Sequence, residues 1–400
     1  MRKLLLLLCL VPALLGAQNL AISGVRVYSS PDAKPIDHAT ILIEHGKISA
    51  IGTHVIIPSS IKKLSCENCV VFAGFWNTHV HFTEAKWNGA EQLPAEKLTK
   101  QLREMLTHSG FTTVVDTGSN PRNTAALRSR IESLEVAGPH IYTAGTPLYP
   151  PHAIPFYLSD LPTEVRRMLP QPETSTQAVA AVERNIAAGS DIVKLFTGSY
   201  VAPGRVVPMP LDVAFAAVKG GHEHGQLVFA HPSNAEGVRI AMNAGVDVLA
   251  HAPDTVEGVD DQLIAELVEH HMAMIPTLKL FSQDKDIARI RQIVADFHQQ
   301  GGLLMFGTDT GFLTDYSMDE EYRQLALAGL SWRDILAMLT TNPAKLFRVN
   351  NKGKLSRTMA GDLTILAADP EQAGTQAFAQ VRFTIRNGNI IYAENPLDRH

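Results

Sequence analysis

From residue 70 to residue 307 the chain repeats one phrase: a short apolar run, then a longer stretch with apolar residues at three- and four-residue spacing. The runs are 70–75, 112–115, 140–144, 191–195, 227–230, 246–250, 272–276 and 303–307. They do not alternate with polar residues, so each reads as a strand buried on both faces. Between them, stretches such as 94–108, 176–188, 211–224, 260–270 and 285–300 carry the amphipathic period of helices. Eight such βα units predict a parallel (β/α)8 TIM-like barrel. Residues 318–347 read as further helix, broken at Leu330-Ser331.

Both ends of the chain follow a different rhythm. Gly24-Val-Arg-Val-Tyr28 alternates, and His45-Gly46 turns one strand-like segment into the next. Near the other end, Val381-Arg-Phe-Thr-Ile385 alternates and Asn387-Gly388 marks a hairpin. The pattern predicts a small β-sandwich composed of residues 18–72 and 348–400, with the barrel over 73–347.

Composition narrows the function classes. Apolar residues make up 45% of the 400 and the formal charge is −5, with no basic run, which excludes a nucleic-acid binder. Met1-Arg2-Lys3, the apolar run from Leu4 to Leu15 and then Gly16-Ala17-Gln18 form the three-part pattern of a secretory signal peptide over residues 1–17. That run is too short to span a bilayer. Cys9 lies inside it rather than at the cleavage point, which argues against a lipid anchor. The expectation is a secreted or periplasmic protein with no membrane attachment after cleavage. In that compartment Cys66 and Cys69 read first as a short-range disulfide, with free thiols or a metal site as the other readings.

The sixteen histidines gain meaning from position. In such a barrel, chemistry belongs where strands end and βα loops begin. His79 and His81 lie one residue apart in an extended segment, which turns both side chains to one face. His231, His251 and Asp309 each close an apolar run as a lone polar residue. Lys194 stands near the end of the fourth run, where an ammonium cannot serve a metal. It either pairs with Asp309 or loses its proton and takes up carbon dioxide as a carbamate, an anion able to bridge two ions. Five metal-competent groups and one lysine at the same rim predict a two-metal centre.

This set, with His79-Val-His81, Ala241-Met-Asn-Ala-Gly-Val-Asp-Val-Leu-Ala-His251 and Phe306-Gly-Thr-Asp-Thr-Gly311, resembles the amidohydrolase superfamily in its two-metal subtype with a carboxylated lysine. Other stretches, among them Thr341-Asn-Pro-Ala344, resemble the imidazolonepropionase-like or prolidase-like branch. Ala73 and Asn77 depart from the family's usual proline and aspartate. The resemblance implies that His79, His81 and Asp309 hold one divalent ion and His231 and His251 the other, and the donor types suit zinc. It implies a carbamate on Lys194 and a hydroxide bridging the ions, with Asp309 as general base and then general acid. The developing oxyanion would be met by a metal and by a side-chain donor from a loop. Family deaminases carry a glutamate soon after the fifth-strand histidine; Glu236 stands too far along for that, which favours hydrolysis.

The candidate substrate contacts are His152, in the loop after the third strand, Tyr200 and Arg205 after the fourth, and Lys279 after the seventh. The expected partner is a small-molecule substrate with a non-peptide or dipeptide-type amide bond. Lactone, ester or phosphotriester hydrolysis by the same site is the alternative, and a homo-oligomer is left open.

Overall fold

The computed structural model describes residues 18–395, so residues 1–17, expected to be a signal peptide, lie outside the described residues. The alternating N-terminal segments form β1 (Leu20–Val27), β2 (Ile36–Glu44), β3 (Lys47–Gly52), β4 (Lys62–Ser65) and β5 (Val70–Ala73). The sulfurs of Cys66 and Cys69 are bonded to each other in the turn between the last two.

The apolar runs of the middle form parallel strands. β6 (Phe75–Val80), β7 (Phe111–Asp116) and β8 (His140–Thr143) make one sheet. β9 (Ile192–Phe196) is followed by a hairpin of β10 (Gly198–Ala202) and β11 (Arg205–Pro208), which the hydropathy pattern did not reveal. β12 (Leu227–His231), β13 (Val248–Leu249), β14 (Ala273–Met274) and β15 (Leu303–Leu304) then complete a second parallel sheet with β9. The edges of the two sheets meet through parallel bridges, Val80 with Thr310 and Leu148 with Leu195. Thr78 N–H donates to Phe306 O at 2.8 Å and Leu148 N–H to Lys194 O at 2.9 Å across these contacts.

Inward-facing Val115, Ile192, Phe229, Val248, Ala273 and Met305 share one apolar cluster. Trp76, Tyr142 and Phe229 all pack on Phe347, which fills the end of that interior away from the strand C-termini. Outer faces pack on the helices, including Ala95–Met105, Ser175–Ala187, Leu211–Glu223, Asp261–Glu269 and Ile287–Gln299, which fall in the amphipathic stretches. Two more helices, Pro121–Glu132 and Ala235–Ala244, fill the units in between. The break near Leu330 is a helix restart: Ser331 and Asp334 form a capping box that opens Trp332–Leu339.

At the other end of the chain β16 (Leu363–Leu366), β17 (Val381–Arg386) and β18 (Asn389–Ala393) follow. Two sequence expectations are corrected here. The first parallel strand begins at Phe75, since residues 70–73 belong to the terminal sheet. The terminal strands also join one hydrogen-bonded sheet of eight, in the order β18-β17-β16-β5-β1-β2-β3 with β4 on β1, where a sandwich of two sheets was expected. The cause is β5: it offers one edge to β1 and the other to β16, so the N- and C-terminal hairpins become neighbours in one sheet.

Candidate metal centre

His79 is the penultimate residue of β6 and His81 follows its end, so the pleat turns both rings the same way, with centroids 5.3 Å apart. Both approach a single oxygen. Asp309 Oδ1 lies 3.3 Å from His79 Nε2 and 2.9 Å from His81 Nε2. Asp309 itself has φ +56°, a left-handed conformation uncommon for a residue with a side chain, and its N–H donates to His79 O at 2.9 Å. Close approach of this loop to β6 depends on two glycines. A Cβ at Gly307 would fall 2.8 Å from His79 Cβ and 2.4 Å from Ile275 Cγ2. At Gly311, φ is +103° and a Cβ would fall 1.9 Å from His81 O.

Hydrogen bonds decide which ring nitrogens face the centre. His81 Nδ1 lies 2.7 Å from Gly118 O, which can only accept, so Nδ1 carries the proton and Nε2 presents its lone pair. His251 Nδ1 lies 2.7 Å from Thr277 Oγ1, whose own proton goes to Pro276 O at 2.8 Å. Thr277 therefore accepts, and His251 Nε2 is free of a proton. Thr277 holds this geometry at φ +48°, an outlier for a β-branched residue. Asn77 supports His79 from below: Oδ1 accepts from His79 N–H at 3.2 Å and Nδ2 donates to Thr308 Oγ1 at 2.7 Å.

The other half of the centre is built from aromatic contact. His251 packs against His79 (4.4 Å) and His231 (4.6 Å), and His231 stacks on Phe196 at 4.6 Å with planes 17° apart. Lys194, in β9, is 2% exposed, and its ammonium lies 5.7 Å from the Phe196 ring centroid. That ammonium makes no hydrogen bond or ion pair with a described residue, so the pairing with Asp309 weighed from sequence is not formed. Burial pushes this amine down to about 7, against the pull of Asp309. That is low enough for a substantial neutral fraction, the form that reacts with carbon dioxide.

Burial, then the Lys194 charge, pushes His79 down to about 3. Burial together with neighbouring histidines and Lys194 also holds His231 and His251 well below their usual range. Burial would lift Asp309, but His79 and His81 outweigh it and keep the carboxylate ionised. Burial would lower His81 too, yet Asp309 and then Asp116 outweigh it and raise it. Asp116, at the end of β7, is itself ordered by Ser119 Oγ (2.6 Å) and Thr143 Oγ1 (2.7 Å).

These residues fit a divalent cation. Both ring nitrogens of His79 and Asp309 Oδ1 are buried with no hydrogen-bond partner. Donor atoms of His79, His251 and Asp309 all lie within 4.8 Å of one another. With Nδ1–H of His81 committed, its Nε2 and Asp309 Oδ1 are two lone-pair atoms 2.9 Å apart, a contact that calls for a proton or a cation between them.

The four candidate substrate contacts have different fates. Tyr200 lies in β10 with its hydroxyl on Thr255 Oγ1. Lys279 gives its ammonium to Asp315 O (2.6 Å), Ser317 O (2.7 Å) and the Asp315 carboxylate, tying two rim loops together. Its side chain is thus committed to structure. His152 is exposed and pairs with Glu173 at 3.2 Å, and Arg205 is exposed at the start of β11. Sequence reasoning missed Asp116, Thr277 and Glu321. The last is fully buried and accepts from the N–H groups of Leu278 (3.1 Å) and Lys279 (2.6 Å), fixing the loop that carries Thr277. Only Asp116 left a trace, as a polar residue closing an apolar run.

The chain is similar to several known proteins. Among solved structures, a Xaa-Pro dipeptidase with bound methionine superposes with a TM-score of 0.78 at 21% identity, over 94% of this chain and 100% of that one. A putative prolidase from Bifidobacterium longum gives 0.77 at 23%, over 95% and 96%. Molinate hydrolase gives 0.77 at 16%, over 94% and 95%. At such identities the likeness speaks for the fold. Uncharacterized proteins of Mycobacterium bovis and Mycobacterium tuberculosis are 33% identical over 109 residues, which is 26% of this chain and 28% of the length of each relative. The amidohydrolase family model matches residues 70–392, which takes in every residue of the centre. The chain belongs to the amidohydrolase family.

Proposed function

We propose that this protein is an exported two-metal hydrolase of small-molecule amide bonds, of the prolidase-like or imidazolonepropionase-like kind. In this reading the eight parallel strands close into a (β/α)8 barrel over residues 73–347, and residues 18–72 with 348–400 form the companion domain. The observation that carries the reading is the pair of lone-pair atoms on His81 and Asp309 beside the unpartnered nitrogens of buried His79. His79, His81 and Asp309 would hold one ion and His231 and His251 the other, with Lys194 as a carbamate supplying further oxygen donors. Zinc suits the imidazole-rich donor set. When bound, the ions lower the pKa of water and polarise a carbonyl.

The chain's own residues supply the rest. Asp309 rests as a carboxylate. It takes the proton of the attacking water and passes it to the leaving amine. Thr277 and Gly118 keep His251 and His81 in the tautomers that present Nε2. Phe196 and Phe281, both packed against site histidines, keep one wall apolar and exclude water. The names of similar structures, a dipeptidase and a prolidase, support cleavage of an amide bond.

The test is a substrate survey on protein reconstituted with two equivalents of zinc. N-acyl amino acids, Xaa-Pro dipeptides and cyclic amides are the expected substrates. Rapid cleavage of lactones or phosphotriesters with no amide turnover would overturn the proposed bond class. Mass spectrometry of the protein recovered from a secreting host tests export, the expected mature chain starting near Gln18.

A further inference from the structure

The loop after β14 reaches His251 twice. Thr277 Oγ1 accepts the ring Nδ1–H at 2.7 Å, and the Phe281 ring centroid lies 6.1 Å from that of the imidazole. Between these contacts the chain turns tightly, with Leu280 N–H on Thr277 O (3.0 Å) and Phe281 N–H on Leu278 O (3.2 Å). As in the first turn of a helix, the leading N–H groups find no carbonyl within such a turn. Here they are those of Leu278 and Lys279, and both go to one side chain. Glu321 Oε1 takes Leu278 N–H at 3.1 Å and Oε2 takes Lys279 N–H at 2.6 Å.

Glu321 lies in the first turn of the helix Asp319–Leu327 and is fully buried. The two amides are its only hydrogen-bond partners among the described residues. A carboxylate buried in this way costs free energy that an apolar side chain on the same helix face would not. What it holds is strained: Thr277, next to the gripped amides, keeps φ +48°. Such strain persists only where the surroundings over-determine it. The Lys279 ammonium, on Asp315 O and Ser317 O, fastens the same short stretch by its side chain.

We propose that Glu321 is a positioning residue for the ion assigned to His231 and His251. It fixes Thr277 before the ion arrives, so that His251 presents Nε2 without rearrangement. The proposal rests on the two-metal reading above. Glu321 has no hydrogen bond to a ligand histidine and acts through Thr277.

The test measures zinc affinity by chelator competition in wild type, Glu321→Gln, Thr277→Val and the double variant. A glutamine amide nitrogen cannot accept the second N–H. Glu321→Gln is therefore expected to weaken one of the two zinc equivalents about tenfold and leave the other unchanged. Added to Thr277→Val, it should cost less than about twofold more, because the route is already cut. Should Glu321→Gln fail to fold, Glu321→Asp carries the same expectation, since it keeps the charge but is too short to span both amides. In metal-free protein with isotope-labelled histidine, magnetic resonance should find the His251 ring proton on Nδ1. In the variant, part of that signal should move to Nε2. Equal zinc affinity in wild type and Glu321→Gln overturns the proposal, as does a loss that adds in full to that of Thr277→Val. A wild type that takes up no zinc while the ring-proton difference persists would instead overturn the two-metal reading and support the hold of Glu321 on His251.

Discussion

The rim of the parallel strands and the seam between those strands and the terminal sheet both bury polar groups, yet they treat them in opposite ways. At the seam, charges meet opposites: Lys352 lies 2.9 Å from Asp362, and Arg386 pairs with Glu132. Hydroxyls there find carbonyls, Thr364 on Gly110 O at 2.7 Å and Thr384 on Thr107 O at 2.6 Å. At the rim, four imidazoles, a carboxylate and an ammonium crowd together, several without partners, and Asp309 and Thr277 hold left-handed backbone conformations. Left-handed backbone at Asp309 and Thr277 beside the unmet atoms of buried His79 and Asp309 marks where the fold has been bent to chemistry. The seam shows the same chain solving burial for stability alone.

This contrast can be broken by four measurements. Asp309→Asn should reduce kcat at least about 10³-fold, since it loses both a proton acceptor and a ligand charge. Its metal-free form should melt no lower than wild type; a large fall in melting temperature would make Asp309 a structural residue. Lys194→Ala should drop bound metal from two equivalents to one by elemental analysis, with turnover down on the order of 10²-fold. After chelation, bicarbonate with zinc should restore wild type and not this variant; identical recovery leaves Lys194 an ordinary lysine. Thr277→Val removes the acceptor for His251 Nδ1–H, and zinc affinity should fall about 10–100-fold at near-normal stability. Competition with a chelator measures it.

The smallest effect belongs to the seam. Burial would raise Glu132, but His140 and Arg386 outweigh it and hold the carboxyl at about 2 against an ordinary 4.5. A folded-state pKa below the unfolded one stabilises the fold above pH 4.5, and that contribution is lost as pH falls from there through about 2. Glu132 is 42% exposed, so solvent screening limits the contribution to about 0.5 kcal/mol. Glu132→Gln should melt slightly below wild type at neutral pH, converge with it near pH 2–3, and turn substrate over at the wild-type rate. A stability gap that widened in acid would contradict the assignment.

The sequence disclosed His231, His251 and Asp309 because each is a lone polar residue ending an apolar run, a local feature. His231 and Asp309 could be found without knowing any neighbour. The groups that orient them could not. Thr277 is one threonine among many, and its role depends on a left-handed backbone that brings its hydroxyl to His251. The expected sandwich became one sheet for a similar reason: alternation shows that a strand has a wet and a dry face but not which strand lies beside it.

The join between β5 and β6 has a consequence for how the protein comes into being. Phe75, which opens the strand carrying His79 and His81, gives its N–H to Thr364 Oγ1, 289 residues further along. At about 5–20 residues per second, a ribosome delivers that partner roughly 15–60 s after Phe75 has emerged. Throughout that interval His79 and His81 ride on a strand whose root lacks this anchor. The candidate centre is thus completed by nearly the last strands to be made, and a truncated chain would hold these histidines only loosely.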